Sequence, residues 1–153
     1  MLNNGLKRAV FAAAMGAKAL ISPVAFGVAG AVFDDQGRLL LVRQRYAPGW
    51  RLPGGGVARG EAPAKAVLRE LREEVGLTGG EAQFFGLYSR KAGWATNVIA
   101  LYTVRGGTIA FRPNFEIREI LFTQMDAPPD GATPGTLRRL AELRGAATRD
   151  EIW

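Results

Sequence analysis

The chain has 153 residues and not one is cysteine or histidine. Without cysteine there is no disulfide framework and no thiolate zinc site. Without histidine there is no Ser-His-Asp triad, no imidazole-ligated metal and no imidazole base. Acid–base chemistry must therefore run on Asp, Glu, Lys, Tyr or water. Apolar runs are short too. The stretch Ala9–Met15 follows Lys7 and Arg8 as in a secretory leader, but Lys18 interrupts it and no small-x-small cleavage pattern follows. It is too short for an integral membrane segment, and a cytoplasmic setting is expected. Acidic residues are the minority, 14 against 20 Lys and Arg, for a net charge of +6. That balance points to anionic partners without choosing among phosphates, nucleotides, nucleic acid or acidic lipid.

Against this basic background an acidic cluster stands out. Glu70, Glu73 and Glu74 fall at i, i+3 and i+4 in a segment of helical pattern, which stacks them on one face. Each like-charge pair costs roughly 0.2–0.5 kcal/mol. A hard divalent cation facing the carboxylates would offset that cost.

Hydrophobic content of 48% supports a real core. Leu6, Val10, Ala13, Ala17 and Leu20 recur at helical spacing, predicting an amphipathic helix that docks on the domain or on a partner subunit. Ser22-Pro23 ends it. Residues 25–33 and 38–45 read as two strands around the turn Asp34-Asp35-Gln36-Gly37, a hairpin by this reading. A Gly-rich loop, residues 48–56, follows. Pro63 opens the next helix and Gly76 closes it. Ala62 is a poor N-cap, so the cap is expected from Glu61 or the preceding loop. Val67, Leu68, Leu71 and Val75 form its apolar stripe. Further strands are expected at 83–89, 96–104, 108–112 and 116–123, with Gly106-Gly107 turning one pair. A last amphipathic helix spans 136–144, with Leu137, Leu140 and Leu143 inward. This order predicts an α+β fold, a mixed sheet between helices. The expected organisation is an N-terminal helical extension (1–23), a catalytic domain (24–147) and a short tail (148–153).

The central segment runs Gly55, five residues, Glu61, seven residues, then Arg69-Glu70-Leu71-x-Glu73-Glu74-x-Gly76-Leu77. It resembles the Nudix box, and all nine specified positions match. The order of strands, loop, box, strands and helix also resembles a Nudix domain, whose α/β/α sandwich is then the expected fold. The resemblance implies a Mg²⁺- or Mn²⁺-dependent hydrolase that cleaves the pyrophosphate link of a nucleoside diphosphate joined to some moiety X. Glu73 and Glu74 would be the main metal ligands. Glu70 would share a metal or accept a proton from the attacking water, and the carbonyl of Gly55 would be a further ligand. The metal would neutralise phosphate charge, orient the diphosphate and acidify water. Arg69 would pair with Glu73 and hold its rotamer. Glu61 would be a supporting residue in the helix's first turn.

A carboxylate beyond the box often completes such sites. The segment Glu116-Ile117-Arg118-Glu119 resembles the family's E-x-x-E stretch; Glu116 is the preferred candidate and Glu119 the alternative. Gly54 and Gly55 would bring backbone close to a diphosphate. Arg43 and Arg45 alternate on a strand and so share a face. They could clamp phosphates or simply solvate the sheet. Trp50 and Tyr46 could stack a base or pack in the loop. Arg90, Lys91 and Trp94 form a basic, aromatic loop suited either to specificity or to plain surface.

Two other readings compete. One is a Nudix-fold binding or sensor module without turnover, which an intact box disfavours. The other is an RNA 5′-end pyrophosphohydrolase, motivated by the basic charge but not by any RNA-binding motif. Neither the nucleotide nor X is legible, and a homodimer through the N-terminal helix fits the pattern.

Overall fold

The computed structural model describes residues 4–21 and 23–153. Its elements are α1 (Asn4–Ile21), β1 (Val24–Val32), β2 (Leu39–Gln44), β3 (Trp50–Arg51), α2 (Pro63–Val75), β4 (Leu77–Ala92), β5 (Ala95–Ile109), β6 (Ile117–Thr123) and α3 (Pro134–Leu143). They build the expected α+β fold around two three-stranded sheets, ordered β1-β5-β4 and β3-β2-β6. The first is mixed, with β1 parallel to β5 and β4 antiparallel to it. The second is antiparallel.

Two apolar clusters hold these layers together. One joins Val67, Leu71 and Val75 of α2 to Val28, Leu40 and Val104. The other joins Leu39, Leu41, Trp50, Tyr88 and Leu101 to Leu140 of α3. Residues of β1 and β2 alternate between the two clusters, so both strands are buried on both faces. That is why they read as unbroken apolar runs rather than as alternating ones. Each fully buried Leu or Val contributes about 1.5–3 kcal/mol relative to exposure.

Helix α2 begins at Pro63 and stops at Gly76, whose φ of 68° and N–H bond to the Arg72 carbonyl close the last turn. Ala62 makes no side-chain cap, and Glu61 lies before the helix rather than in its first turn.

Several sequence expectations need correction. The segment 25–45 is not a hairpin. Only Phe33 and Leu39 bridge across the Asp34–Gly37 turn before β1 joins β5 in one sheet and β2 joins β6 in the other. With apolar side chains on both faces, the two strands pack against each other's sheets instead of pairing. Gly106-Gly107 does not turn a strand pair either. Gly107 pairs with Gly79 inside a long ladder, and the β4–β5 turn lies at Gly93-Trp94. On α3, Leu137 is 43% exposed, whereas Thr136 and Arg139 are buried beside Leu140.

The N-terminal helix forms, but it does not dock on the domain. Val10 is 62% exposed, Leu20 is 80% exposed, and Phe11 and Met15 also face solvent. The apolar clusters of the domain are closed by α2 and α3, and α1 contributes to neither. The Leu6 side chain and Ser22 lie outside the described residues. No described helix is long and apolar enough to cross a membrane.

The last residues are tied to β4. The Ser89 N–H donates to the Glu151 carbonyl at 2.7 Å, and the Trp153 N–H donates to the Ser89 carbonyl at 3.0 Å. The Trp153 ring stands edge-on to Tyr88, with centroids 5.6 Å apart.

Candidate active site

The Gly-rich loop is laid along β1 by three backbone bonds: Gly30 N–H to Pro53 O, Val28 N–H to Gly55 O, and Val57 N–H to Phe26 O, at 2.8–3.0 Å. Gly54 sits at φ 148°, and a Cβ there would run into the Val28 carbonyl. Only glycine fits this close approach. The loop thereby aims the Gly54 N–H at Glu74 Oε2, 2.8 Å away. Gly55 is held just as closely, since a Cβ there would collide with the Glu70 carboxylate. Two glycines thus let two of the box carboxylates come up against the loop backbone.

Glu74 is 4% exposed and has no cationic partner among the described residues. Burial pushes its carboxyl up to about 7, against the Gly54 hydrogen bond that favours the charged form. The charges of Glu70, Glu116 and Glu73 push in the same direction as burial. Glu116 is therefore within electrostatic reach of the box, whereas Glu119 is occupied by Arg43 at 2.6 Å and Arg118 at 3.3 Å. Asn114 places Glu116. Its amide donates to the Glu74 main-chain carbonyl at 2.9 Å, and its Oδ1 accepts from the N–H groups of Glu116 and Ile117. Sequence reading missed Asn114. Its only signal was an Asn two residues ahead of a strand that starts with an acid, a common turn pattern.

Arg69 is the hub on the exposed side. It meets Glu61 through two bonds of 2.9 Å, Glu70 at 2.8 Å and the Gly56 carbonyl at 2.9 Å. Glu73, its expected partner, is a distant third carboxylate at 3.5 Å. The two-pronged bond to Arg69 holds the Glu61 carboxyl near 2, aided by the Ala58 N–H. Glu61 is thus an anchor for Arg69, and Arg69 for Glu70.

The donor set suits a hard cation: carboxylates from α2 and from the approach to β6, next to loop carbonyls. Glu74 supplies the physical demand, a buried acid whose ionised form nearby positive charge would favour. The arrangement is not closed on an ion, because among the described residues no three acidic groups stand close enough together to share one. Glu70 faces Arg69, and the Gly55 carbonyl already accepts from Val28, leaving one lone pair.

The loop forms one wall of a cavity of about 580 Å³. Gly54 and Gly55 line it, together with Tyr46, Arg51, Arg90 and Trp153. Three residues expected to bind substrate do not. Trp50 is 7% exposed and packs in the core, with the Arg43 guanidinium 4.3 Å above its ring. Arg43 is held by Glu119, and Arg45 Nε donates to the Asn114 carbonyl at 2.7 Å. Arg43 stands opposite Glu119 on the neighbouring strand β6, and a register shift between Arg43 and Gln44 interrupts the expected alternation before Arg45. Arg51 and Trp153 escaped the sequence reading, since neither lies in a motif.

Residues 23–143 match the NUDIX domain model, and the chain belongs to that family. A solved MutT NUDIX hydrolase from Burkholderia pseudomallei superposes with a TM-score of 0.70 at 25% identity, over 80% of this chain and 99% of that one. Among curated relatives, an RNA pyrophosphohydrolase of Hydrogenovibrio crunogenus is 34% identical over 74 residues, 48% of this chain and 43% of the relative. A putative 8-oxo-dGTP diphosphatase of Bacillus subtilis is 37% identical over 59 residues, 39% of this chain and 40% of the relative. The matches thus span less than half the length of these relatives.

Proposed function

We propose that this chain is a pyrophosphohydrolase that needs Mg²⁺ or Mn²⁺ and acts on a nucleoside diphosphate linked to a moiety X, in a cytoplasmic setting. The observation that carries the reading is Glu74, a buried carboxylate with no cationic partner among the described residues, under the like charge of Glu70, Glu73 and Glu116 and hydrogen-bonded to the N–H of Gly54, which lines the cavity. Glu74, Glu73, Glu70 and Glu116 would hold the cation, with the remaining lone pair of the Gly55 carbonyl. Bound there, it would neutralise the diphosphate and orient it for in-line attack by water.

The chain's own groups do the rest. The loop backbone at Gly54 and Gly55 brings the diphosphate close without side chains in the way. Arg69 keeps Glu70 at the loop until a cation competes for it, so Glu70 is the carboxylate free to change partners and take a proton from water. Asn114 keeps Glu116 beside Glu74.

The test is release of phosphate or nucleotide from a panel of nucleoside triphosphates, dinucleotides and nucleotide sugars with Mg²⁺. The wild type should turn over at least one of them, and Glu74→Gln should lose that activity. Equal, near-zero turnover in both would favour a binding module instead.

A second reading is supported by the relatives named RNA pyrophosphohydrolase and by the net charge of +6. It is cleavage at a 5′-triphosphorylated RNA end, and it requires binding that weakens steeply with salt. A flat salt response would remove it. A homodimer through α1 remains part of the proposal, and light scattering of the full chain measures it.

A further inference from the structure

The cavity is charged unequally along its length. None of its lining residues is acidic, yet two arginines reach it from different elements, Arg51 from β3 and Arg90 from β4. Among the described residues neither meets a carboxylate, unlike the partly or fully buried Arg43, Arg69 and Arg139. Arg51 donates one N–H to the Pro48 carbonyl at 2.6 Å, while its Nε is shut off from solvent with no acceptor. A buried donor left open is unfavourable; the Nε of Arg139 is left open in the same way, but Arg139 has Glu142 for its charge and does not line the cavity, whereas Arg51 lines it and has no carboxylate. Burial and the neighbouring charge of Arg90 both work against the Arg51 cation.

Tyr46 lines the same cavity; burial raises its phenol, the charges of Glu116 and Glu74 add to that, and Arg51 opposes it. A ligand whose diphosphate lies at Gly54 and Gly55 therefore shares the cavity with two guanidinium groups and no acidic side chain.

We infer that Arg51 and Arg90 form a second anion subsite, which takes a phosphate group of the substrate additional to the scissile diphosphate. The subsite rests on the hydrolase reading for the orientation of the ligand, and its chemistry is that of a phosphate oxygen pair facing planar N–H forks. Two sources supply such a group: the third phosphate of a nucleoside triphosphate, or the phosphodiester that follows the first nucleotide of a 5′-triphosphorylated oligonucleotide. A nucleotide sugar, with its diphosphate alone, lacks it. Trp153 and Tyr46 stand in the same cavity as aromatic walls.

The experiment compares kcat/KM for the three substrate types in wild type, Arg51→Gln and Arg90→Gln, with Arg112→Gln as an exposed control of equal charge change. Selectivity for the substrate with the extra phosphate over the nucleotide sugar should fall about tenfold in the first two variants and stay put in the control. A fall with the triphosphate assigns the subsite to the polyphosphate chain. A fall with the 5′-triphosphorylated oligonucleotide alone assigns it to the phosphodiester. An unchanged ratio in both variants overturns the proposal. A second measurement does not depend on turnover: inorganic phosphate titrated into the metal-free protein should shift the Arg51 Nε–H resonance, and this shift should weaken in Arg90→Gln. If the wild type hydrolyses nothing but the phosphate shift is present, the subsite stands and the hydrolase reading fails. If turnover is robust but phosphate leaves Arg51 unmoved, the subsite fails alone.

Discussion

Two glutamates are buried in this protein to nearly the same degree, and they live in opposite circumstances. Glu142 on α3 meets Arg139 at 2.6 Å, accepts the Tyr88 hydroxyl at 2.8 Å and accepts the Asp150 N–H at 3.1 Å. Arg139 in turn lies 4.0 Å over the Tyr88 ring and donates to the Ile152 carbonyl. Glu74 on α2 has one backbone donor and three acidic neighbours. The first site pairs its carboxylate with an internal cation and fastens the end of the chain to α3 and β4. The second has no cationic partner among the described residues. Burial alone does not mark a functional carboxylate; burial without compensation does.

Breaking the compensated site should have the largest effect on folding. Arg139→Met leaves Glu142 buried and unpaired, and should cost about 3–5 kcal/mol. For a chain of this size that lowers Tm by about 10 °C. The double variant Arg139→Met/Glu142→Leu should recover much of the loss. A thermal melt of the three proteins checks this, and a double variant no better than the single one would contradict it.

At the uncompensated site the sign reverses. The folded carboxyl of Glu74 titrates near 7 against 4.5 in an ordinary setting, so the native state holds its proton more tightly than the unfolded chain does. That stabilisation is fully present below about pH 4.5 and is lost as pH rises through about 7. The loss amounts to roughly 3 kcal/mol. Glu74→Gln should therefore stabilise the metal-free protein at pH 8 and flatten its stability between pH 5 and pH 8, followed by urea melts. The same substitution should lower turnover more than 100-fold, beyond the 10–100-fold that outer partners of a metal site cost.

Proton and cation compete for Glu74, so affinity for Mg²⁺ should fall as pH drops below about 7. Calorimetric titration at pH 6 and pH 8 reads this directly, and equal affinity at both would count against Glu74 as a ligand. The smallest effects belong to the residues that hold the glutamates in place. Arg69→Ala should lower kcat by about 10–100-fold. Asn114→Ala should cost about tenfold, because Glu116 keeps its backbone position less well. Both should leave Tm within a few degrees, since neither residue is in a core cluster.

The α2 helix was legible from sequence to the residue, because Pro63, Gly76 and the apolar stripe are local signals. So was the fold class. Strand pairing was not. Val28–Val32 and Leu39–Val42 announce burial, but a run buried on both faces does not say which neighbour it pairs with. The expected hairpin failed on that point. The partners of Arg43 and Arg45 were hidden for a related reason. Arg43 and Arg45 have the spacing of a phosphate clamp, but only the approach of β6 decides that Glu119 and Asn114 occupy them.

The sequence by itself determined the chemistry this protein carries: an acidic helix face behind a glycine loop, with no imidazole or thiol to share the work. Those features lie within a few turns of chain, where spacing fixes geometry. The tertiary structure decided which charges are answered and which are left open. It gave Glu142 an arginine partner and left Glu74 among like charges, and it brought Arg51, Arg90 and Trp153 around one cavity. Those outcomes depend on contacts between segments far apart in the chain, which folding must bring together before any charge can feel them.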